Sequence, residues 1–282
     1  MADVIISNTQ AAATKMDYIA AMVQKELKEK AILSGYFTDV SQWAVKGNKS
    51  ISFPKLTSFT VGERGSGVTL DAQALTATVD KLDLDIPAYI KWIIDTNDSV
   101  QSTIEWEVET VLRAASAHGR YVDQKLIEEA LAARFEVSVA GDITRDNVLE
   151  MREYVRKNNG DLSQCALFVA VDQMTALLKI DEFSKADVFG QAVIPNGVIG
   201  RLYGIPVVEH NLLADGEYFM AEKSALAFGF QRAPAYGEEP AIDYGVGAVK
   251  RVMDALYGVK ALQIGQALAA PTKSALIAGY KA

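Results

Sequence analysis

The sequence predicts an α+β protein, and three stretches carry that prediction. A single long helical stripe runs from Ser102 to Arg134. An alternating ribbon with a glycine-rich tip occupies Lys46 to Ile86. From Thr144 onward, helix and strand signals alternate over short distances. With 282 residues, 50% of them hydrophobic and 23% charged, the chain can bury a substantial core in one or two domains.

Within the long stripe, apolar or small residues recur in steps of three and four: Ile104, Val108, Val111, Leu112, Ala115, Gly119, Val122, Leu126, Ala130 and Leu131. The charges, from Glu105, Glu107 and Glu109 through Arg113, Arg120, Asp123, Lys125 and Glu128 to Arg134, fill the remaining positions. Ser102 followed by Glu105 three residues later is a capping box, in which each side chain satisfies a free N–H of the first turn. At 1.5 Å per residue the helix would span about 50 Å. A compact ball of this length has a radius of gyration of about 19 Å, so the rod would equal its whole diameter. The body is expected to be extended and flattened.

Ahead of it, residues 11 to 33 form an amphipathic helix with Met16, Ile19, Ala20, Val23, Leu27 and Ala31 on one side and Lys25, Glu26, Lys28 and Glu29 on the other. Such an arm can pack on its own subunit or on a neighbour. The ribbon opens at Gly47, runs through Ser50 to Phe53, breaks at Pro54 and resumes through Leu56, Phe59 and Val61. It turns at Gly62-Glu-Arg-Gly65-Ser-Gly67 and returns through Val68 and Leu70 to Leu82, Leu84 and Ile86. Each arm would reach roughly 50 Å. A two-stranded ribbon is marginal in water by itself, so it must lie on something, such as a neighbouring copy. The tip glycines match neither the dinucleotide nor the nucleotide-loop spacing, and a hairpin tip is the expectation.

Past Gly141, Thr144 to Asn158 reads as a helix with Val148, Met151, Tyr154 and Val155 on one face, stopping at Asn158-Asn159-Gly160. Leu167 to Val171 is a buried strand, and Asp172 is placed to cap a short helix from Gln173 to Ile180. A polar, glycine-containing stretch around Phe189 and Gly190 leads on to Gly197–Val208, which reads as turn, strand, tight turn, strand. Asp215-Gly216 turns before a strand at Glu217 to Met220. Ala225 to Phe230 is a short apolar element, after which Pro234, Gly237 and Pro240 break the chain. An extended run starts at Ile242 and continues towards Ile264, and it is expected to pack beside the long helix.

Composition excludes several functions. A net charge of −8, with a pI near 5.0, argues against sequence-independent binding to DNA or to anionic membrane. The one cysteine, Cys165, lies in the apolar run Cys165–Val171, so it is expected to be a small buried hydrophobe rather than a nucleophile. A lone cysteine rules out an internal disulfide and fits a reducing cytosol. No stretch approaches the roughly 20 apolar residues of a membrane span, and the N-terminus lacks the basic and apolar regions of a signal peptide. An intracellular product is expected.

Chemistry is sparse as well. Two histidines, His118 and His210, cannot build a multi-histidine metal site. His118 sits beside the helix stripe as a packed histidine would. His210 follows Glu209 at a strand end, where a base is conceivable, but no serine or cysteine elbow accompanies it. No catalytic, cofactor-binding or metal-ligating residue is therefore assigned. A cytosolic α/β enzyme using Glu209 and His210 is the reading from a different class. Lys49 and Lys55 on the ribbon open an isopeptide link to a neighbour's asparagine, although lysines there normally guard an exposed edge.

The element order, together with Gly197-Val-Ile-Gly-Arg-Leu-Tyr-Gly-Ile-Pro-Val-Val208 and Gly258-Val-Lys-Ala-Leu262, resembles the major capsid proteins of tailed bacteriophages over nearly the whole chain. The resemblance implies the phage major-capsid fold. Residues 1–45 would be an N-terminal arm and 46–86 an extended loop. Residues 87–143 and 237–259 would form a peripheral domain with its spine helix at 102–134, and 144–236 and 260–282 an α/β axial domain. It also implies self-assembly into hexamers and pentamers that enclose double-stranded DNA in a virion head, built in the host bacterial cytoplasm. A portal protein is a further implied partner, a decoration protein an optional one, and the DNA would be held by non-specific proximity only. Because the arm begins almost at once after Met1, a separate scaffolding protein is expected in place of a cleaved N-terminal segment. Assembly contacts are expected from Lys49, Lys55, Glu63, Arg64 and Lys81 on the hairpin, and from Glu109, Arg113 and Arg120 on the helix. A cellular nanocompartment (encapsulin-like) shell of similar fold is the alternative within the same class.

Overall fold

The computed structural model describes residues 32–56, 59, 61, 73–74, 77–94, 106–137, 142–179, 198–244, 247–262, 274 and 276–281. The arm helix as far as residue 31, the Gly62–Gly67 tip, the Ser102–Glu105 cap and the stretch around Phe189 and Gly190 lie outside the described residues.

The helices are α1 (Ile32–Tyr36), α2 (Trp106–Ala133), α3 (Arg145–Lys157) and α4 (Val171–Leu178). The strands are β1 (Thr38–Asp39), β2 (Ser50–Leu56), β3 (Ala77–Asp83), β4 (Ile86–Ile94), β5 (Phe135–Glu136), β6 (Cys165–Val169), β7 (Val198–Leu202), β8 (Ile205–Glu209), β9 (Tyr218–Glu222), β10 (Leu226–Pro240), β11 (Val249–Ala261) and β12 (Ile277–Tyr280). They make a four-stranded sheet in the order β1-β10-β11-β4, a six-stranded sheet in the order β5-β12-β9-β6-β8-β7, and the separate ribbon β2-β3.

The long helix α2 has 28 described residues, about 42 Å of rod, and it serves two cores with one stripe. Its N-terminal half puts Val111, Ala114 and Ala115 against Met253, Ile90, Trp92 and Tyr236 of the four-stranded sheet. Its C-terminal half puts Val122, Leu126, Ile127, Ala130 and Leu131 against Phe168 and Phe219 of the six-stranded sheet and Tyr257 of β11. The six-stranded sheet is covered on both faces, as the continuous burial of β6 requires. Ala166 and Phe168 point to the α2 side, while Cys165, Leu167 and Val169 point to Val148, Met151, Val155 and Leu177 of α3 and α4. In β11, burial alternates from Arg251 through Met253, Ala255, Tyr257 and Val259 to Ala261, a period of two along the strand that packs beside α2.

Local chemistry accounts for the sharp ends. Thr144 accepts from the Asn147 amide while the Asn147 side chain reaches back to the Thr144 amide, a capping box with asparagine in the glutamate position. At the other end of α3, Gly160 N–H donates to Val155 C=O and Asn159 N–H to Arg156 C=O, so Asn159, at φ 61°, is the left-handed residue. The β7–β8 turn is Tyr203-Gly204, both with positive φ (51° and 84°), the signature of a two-residue hairpin turn.

Several expectations are corrected. Pro54 does not break β2, which pairs continuously from Ser50↔Asp83 to Leu56↔Ala77, because a two-stranded ribbon consists of edges on which a missing N–H is tolerated. The returning strand ends at Asp83, and Ile86 opens β4, the partner of β11. Asp172 is not a cap: α4 starts at Val171 with Ala170 at its N-cap, and the Asp172 carboxylate accepts from Gly216 N–H instead. Pro234, Gly237 and Pro240 do not interrupt the chain, since β10 runs for 15 residues and absorbs the middle region through register shifts between Phe230 and Arg232 and between Arg232 and Ala235. The run at Ile242 is a single 3-10 turn to Tyr244, and the strand begins only at Val249. Asp123 and Arg134 depart from the pattern in which the helix charges fill the positions off the apolar stripe. Asp123 is buried, and Arg134 lies past the helix end, donating to the Leu131 carbonyl.

Candidate assembly surfaces

The ribbon is anchored at its root, and large apolar residues described farther out are exposed. Ile51, Leu82 and Leu84 are buried in a small core with Val40, Ala44, Ala227 and Leu262. The root therefore packs on its own subunit, which supplies part of the support that a two-stranded ribbon needs. Gly258 of β11 crosses so close to the root that a Cβ there would meet the Asp83 carbonyl oxygen at 2.0 Å. Farther out, Val79 is 52% exposed, Phe59 67% and Val61 94%, an apolar surface that this subunit leaves to water.

The residues expected to make assembly contacts fall into three groups. Lys49 and Lys81 are exposed at the ribbon root, with Lys81 opposite Ser52. Lys55 lies in β2 opposite Thr78, while Glu63 and Arg64 lie outside the described residues. On α2, Arg113 donates from Nε to Glu109 Oε1 at 2.8 Å across one helical turn; Arg113 is largely exposed and Glu109 half-buried. Arg120 is exposed five residues before Lys125, which pairs with Glu128 at 2.6 Å. The structure thus brings Glu109 and Arg113 together. Between α2 and β4, two adjoining open depressions of about 350 and 400 Å³ share Pro87 and Tyr121, with Tyr89 75% exposed at the rim.

The groups that could have carried chemistry are committed to packing. Cys165 is fully buried, and burial, reinforced by Glu222 and Asp161, pushes its thiol up to about 12. His118 donates from Nε2 to the Met253 carbonyl at 3.3 Å, and burial holds the imidazole below its ordinary range despite that bond. At His210, Nδ1 accepts from Leu212 N–H at 3.2 Å and Nε2 faces Asp123 Oδ2 at 3.4 Å, so both ring nitrogens are occupied. Among the described residues no group of three or more His, Cys, Asp or Glu is arranged to hold a metal ion, and no described helix is long and apolar enough to cross a membrane.

Asp123 is the polar residue that the sequence reading misplaced. Its position, four residues past Gly119 and three before Leu126, lies on the apolar stripe, and that offset was the available signal. Its carboxylate accepts three backbone amides of α1: Ile32 at 2.9 Å, Leu33 at 3.3 Å and Ser34 at 3.1 Å.

Comparison with known proteins points one way. A sequence model of the family described as "Phage capsid protein" matches residues 12–264. No curated protein sequence matches the chain. Among solved structures, a chain from Mycobacterium phage Che8 is similar at a TM-score of 0.70 and 19% identity, with 88% of this chain and 90% of that chain covered. The asymmetric unit of the bacteriophage PhiM1 mature capsid is similar at 0.65 and 15% identity, covering 88% and 86%. A virus-like particle from Pyrococcus furiosus is similar at 0.61 and 10% identity, covering 95% and 99%. These likenesses establish the fold, and the sequence match over most of the chain establishes the kinship. The chain belongs to the phage capsid protein family and is a structural major capsid protein, a subunit of a self-assembling virion shell.

Proposed function

We propose that this subunit forms hexamers and pentamers that close an icosahedral head around double-stranded DNA, assembled in the host bacterial cytoplasm with a separate scaffolding protein and a portal protein. A decoration protein can bind the outside. The observation that carries the reading is the ribbon: its root is buried on its own subunit while Phe59, Val61 and Val79 stay uncovered. Laying that surface on a neighbouring copy buries apolar area that one subunit leaves wet. Residues 1–45 act as arm, 46–86 as extended loop, 87–143 with 237–259 as peripheral domain and 144–236 with 260–282 as axial domain. Lys49, Lys55, Glu63, Arg64 and Lys81 on the ribbon, and Glu109, Arg113 and Arg120 on the spine helix, make polar contacts between copies. The acidic balance of the chain, −8 overall, suits a wall that faces DNA without gripping it.

The test is expression with and without the neighbouring genes, followed by negative-stain microscopy. Deleting the tip, Gly62 to Gly67, with the ribbon ends should leave a folded, soluble subunit that no longer closes shells. Normal shells from that deletion would refute the role given to the ribbon. The second reading, a nanocompartment shell, is favoured by the likeness to the Pyrococcus furiosus particle. Stoichiometric nucleic acid in purified heads made with the neighbouring genes supports the first reading, and its replacement by a protein cargo supports the second.

A further inference from the structure

Asp123 is 1% exposed in the middle of the spine helix, and three elements distant in sequence meet at its carboxylate. Oδ2 accepts from Ile32 N–H and Leu33 N–H, and Oδ1 accepts from Ser34 N–H. Oδ2 also faces His210 Nε2, just past the end of β8. His210 Nδ1 accepts from Leu212 N–H, which leaves Nε2 as the ring nitrogen that donates towards Asp123. Among the described residues no lysine or arginine pairs with Asp123. The carboxylate accepts instead from peptide N–H groups, the free donors of a helix first turn capped from 89 to 91 residues away. Leu33 drops into the core beside Val122 and Leu126, so apolar packing fixes the same attachment.

We infer that Asp123 is a positioning residue for assembly: its carboxylate fixes the root of the N-terminal segment to the spine helix and to the axial sheet, and closed shells depend on that attachment. The inference rests on the capsid reading above. A hydrogen-bonded anion suits this task better than apolar contact alone, because it sets direction as well as proximity. The first turn of α1 is thereby held at a fixed place on the rod. In a subunit lacking the clasp α1 would lose that fixed place, and contacts between copies that depend on it would lose their register.

The test uses the full chain and two variants that break the clasp from opposite sides. Asp123→Asn keeps the shape but replaces one acceptor with a donor that opposes the α1 amides. Ile32→Pro removes one donor at a helix first position that tolerates proline, and it leaves the carboxylate in place. Ile127→Ala, in the same core, is the purely structural comparison. In the unassembled subunit, hydrogen exchange at the Leu33 and Ser34 amides should rise at least about tenfold in both clasp variants, while Phe168 and Phe219 stay protected. Closed shells should be lost in both. Ile127→Ala should lower global stability without freeing those amides selectively, and it should still form shells. Normal shells from either clasp variant, unchanged protection of residues 33 and 34, or the same selective loss in Ile127→Ala would each overturn the inference. If Asp123→Asn does not fold, Ile32→Pro decides. If the unaltered chain never forms shells, the capsid reading fails separately, and the exchange comparison still decides whether the clasp holds α1.

Discussion

Replacing Gly258 with alanine tests the closest backbone approach at the ribbon root. The added Cβ would lie 2.0 Å from the Asp83 carbonyl oxygen, 2.8 Å from Leu82 Cδ2 and 2.9 Å from the Asp83 carbonyl carbon. A relaxed carbon-to-oxygen contact is about 3.3–3.6 Å, so one backbone must withdraw by more than about 1 Å. Neither can do so freely. Asp83 is the register partner of Ser50, and Leu82 is fully buried against Val40, Ile51 and Leu84. Overpacking of this kind costs about 1–3 kcal/mol, and with two of the three contacts on main chain the upper end applies, about 3 kcal/mol. For a chain of this size that is a fall of about 6–12 °C in melting temperature, read by circular dichroism on unassembled subunit. The control is Gly237→Ala in the paired strand β10, where nothing lies within 4 Å of the new Cβ and the melting temperature should hold or rise slightly. A drop below about 2 °C at position 258, or an equal drop at 237, would show that the contact imposes no constraint.

Three further outcomes follow from local geometry. Thr144→Ala removes the acceptor for the Asn147 amide and should destabilise the subunit by about 1 kcal/mol, visible as a lower urea midpoint at unchanged slope. Tyr203→Asn places a residue that tolerates the left-handed region at φ 51° before Gly204, and should stabilise the β7–β8 turn by about 0.5–1 kcal/mol; a loss would contradict the turn assignment. Stability should also fall at alkaline pH. Burial pushes the Cys165 thiol and the Tyr218 and Tyr236 phenols up to about 12, so these groups keep their protons when folded and release them when unfolded. The folded state then binds more protons, and its advantage, complete below about pH 8.5, is lost progressively as pH rises towards about 12. Cys165→Ala should move the onset from about pH 8.5 to about pH 10, and urea midpoints with the same onset in both proteins would refute that role.

Where local signals and tertiary packing agree, the sequence is readable. The α2 stripe, the α3 face of Val148, Met151 and Val155, and the Gly204 turn were each specified by residues within a few positions of one another. The buried strand at Cys165 was readable from its apolar run, although its end was misplaced because Val169, Ala170 and Val171 are alike to a hydropathy reading while the chain has already turned into α4. Long-range pairing was not readable. β10 passes through Pro234, Gly237 and Pro240 because β11 holds it on one side and its bulges take up the mismatch, and neither shows in the residues that flank those positions. β4 is defined by its register with β11, some 160 residues away. Asp123 looked like surface charge because its partners are main-chain amides of α1, which carry no sequence signature at all.

Both flanks of the four-stranded sheet carry features that oppose further strand pairing. On one side β4 offers Pro87, which has no N–H to donate, and the exposed Lys91; on the other, β10 carries Pro234 and two register shifts beyond the short stretch that β1 covers. A molecule whose working state crowds many copies together risks joining them by the wrong rule, edge upon edge without end, as fibrils do. Blunt margins remove that option, so growth is left to surfaces whose geometry can curve and close.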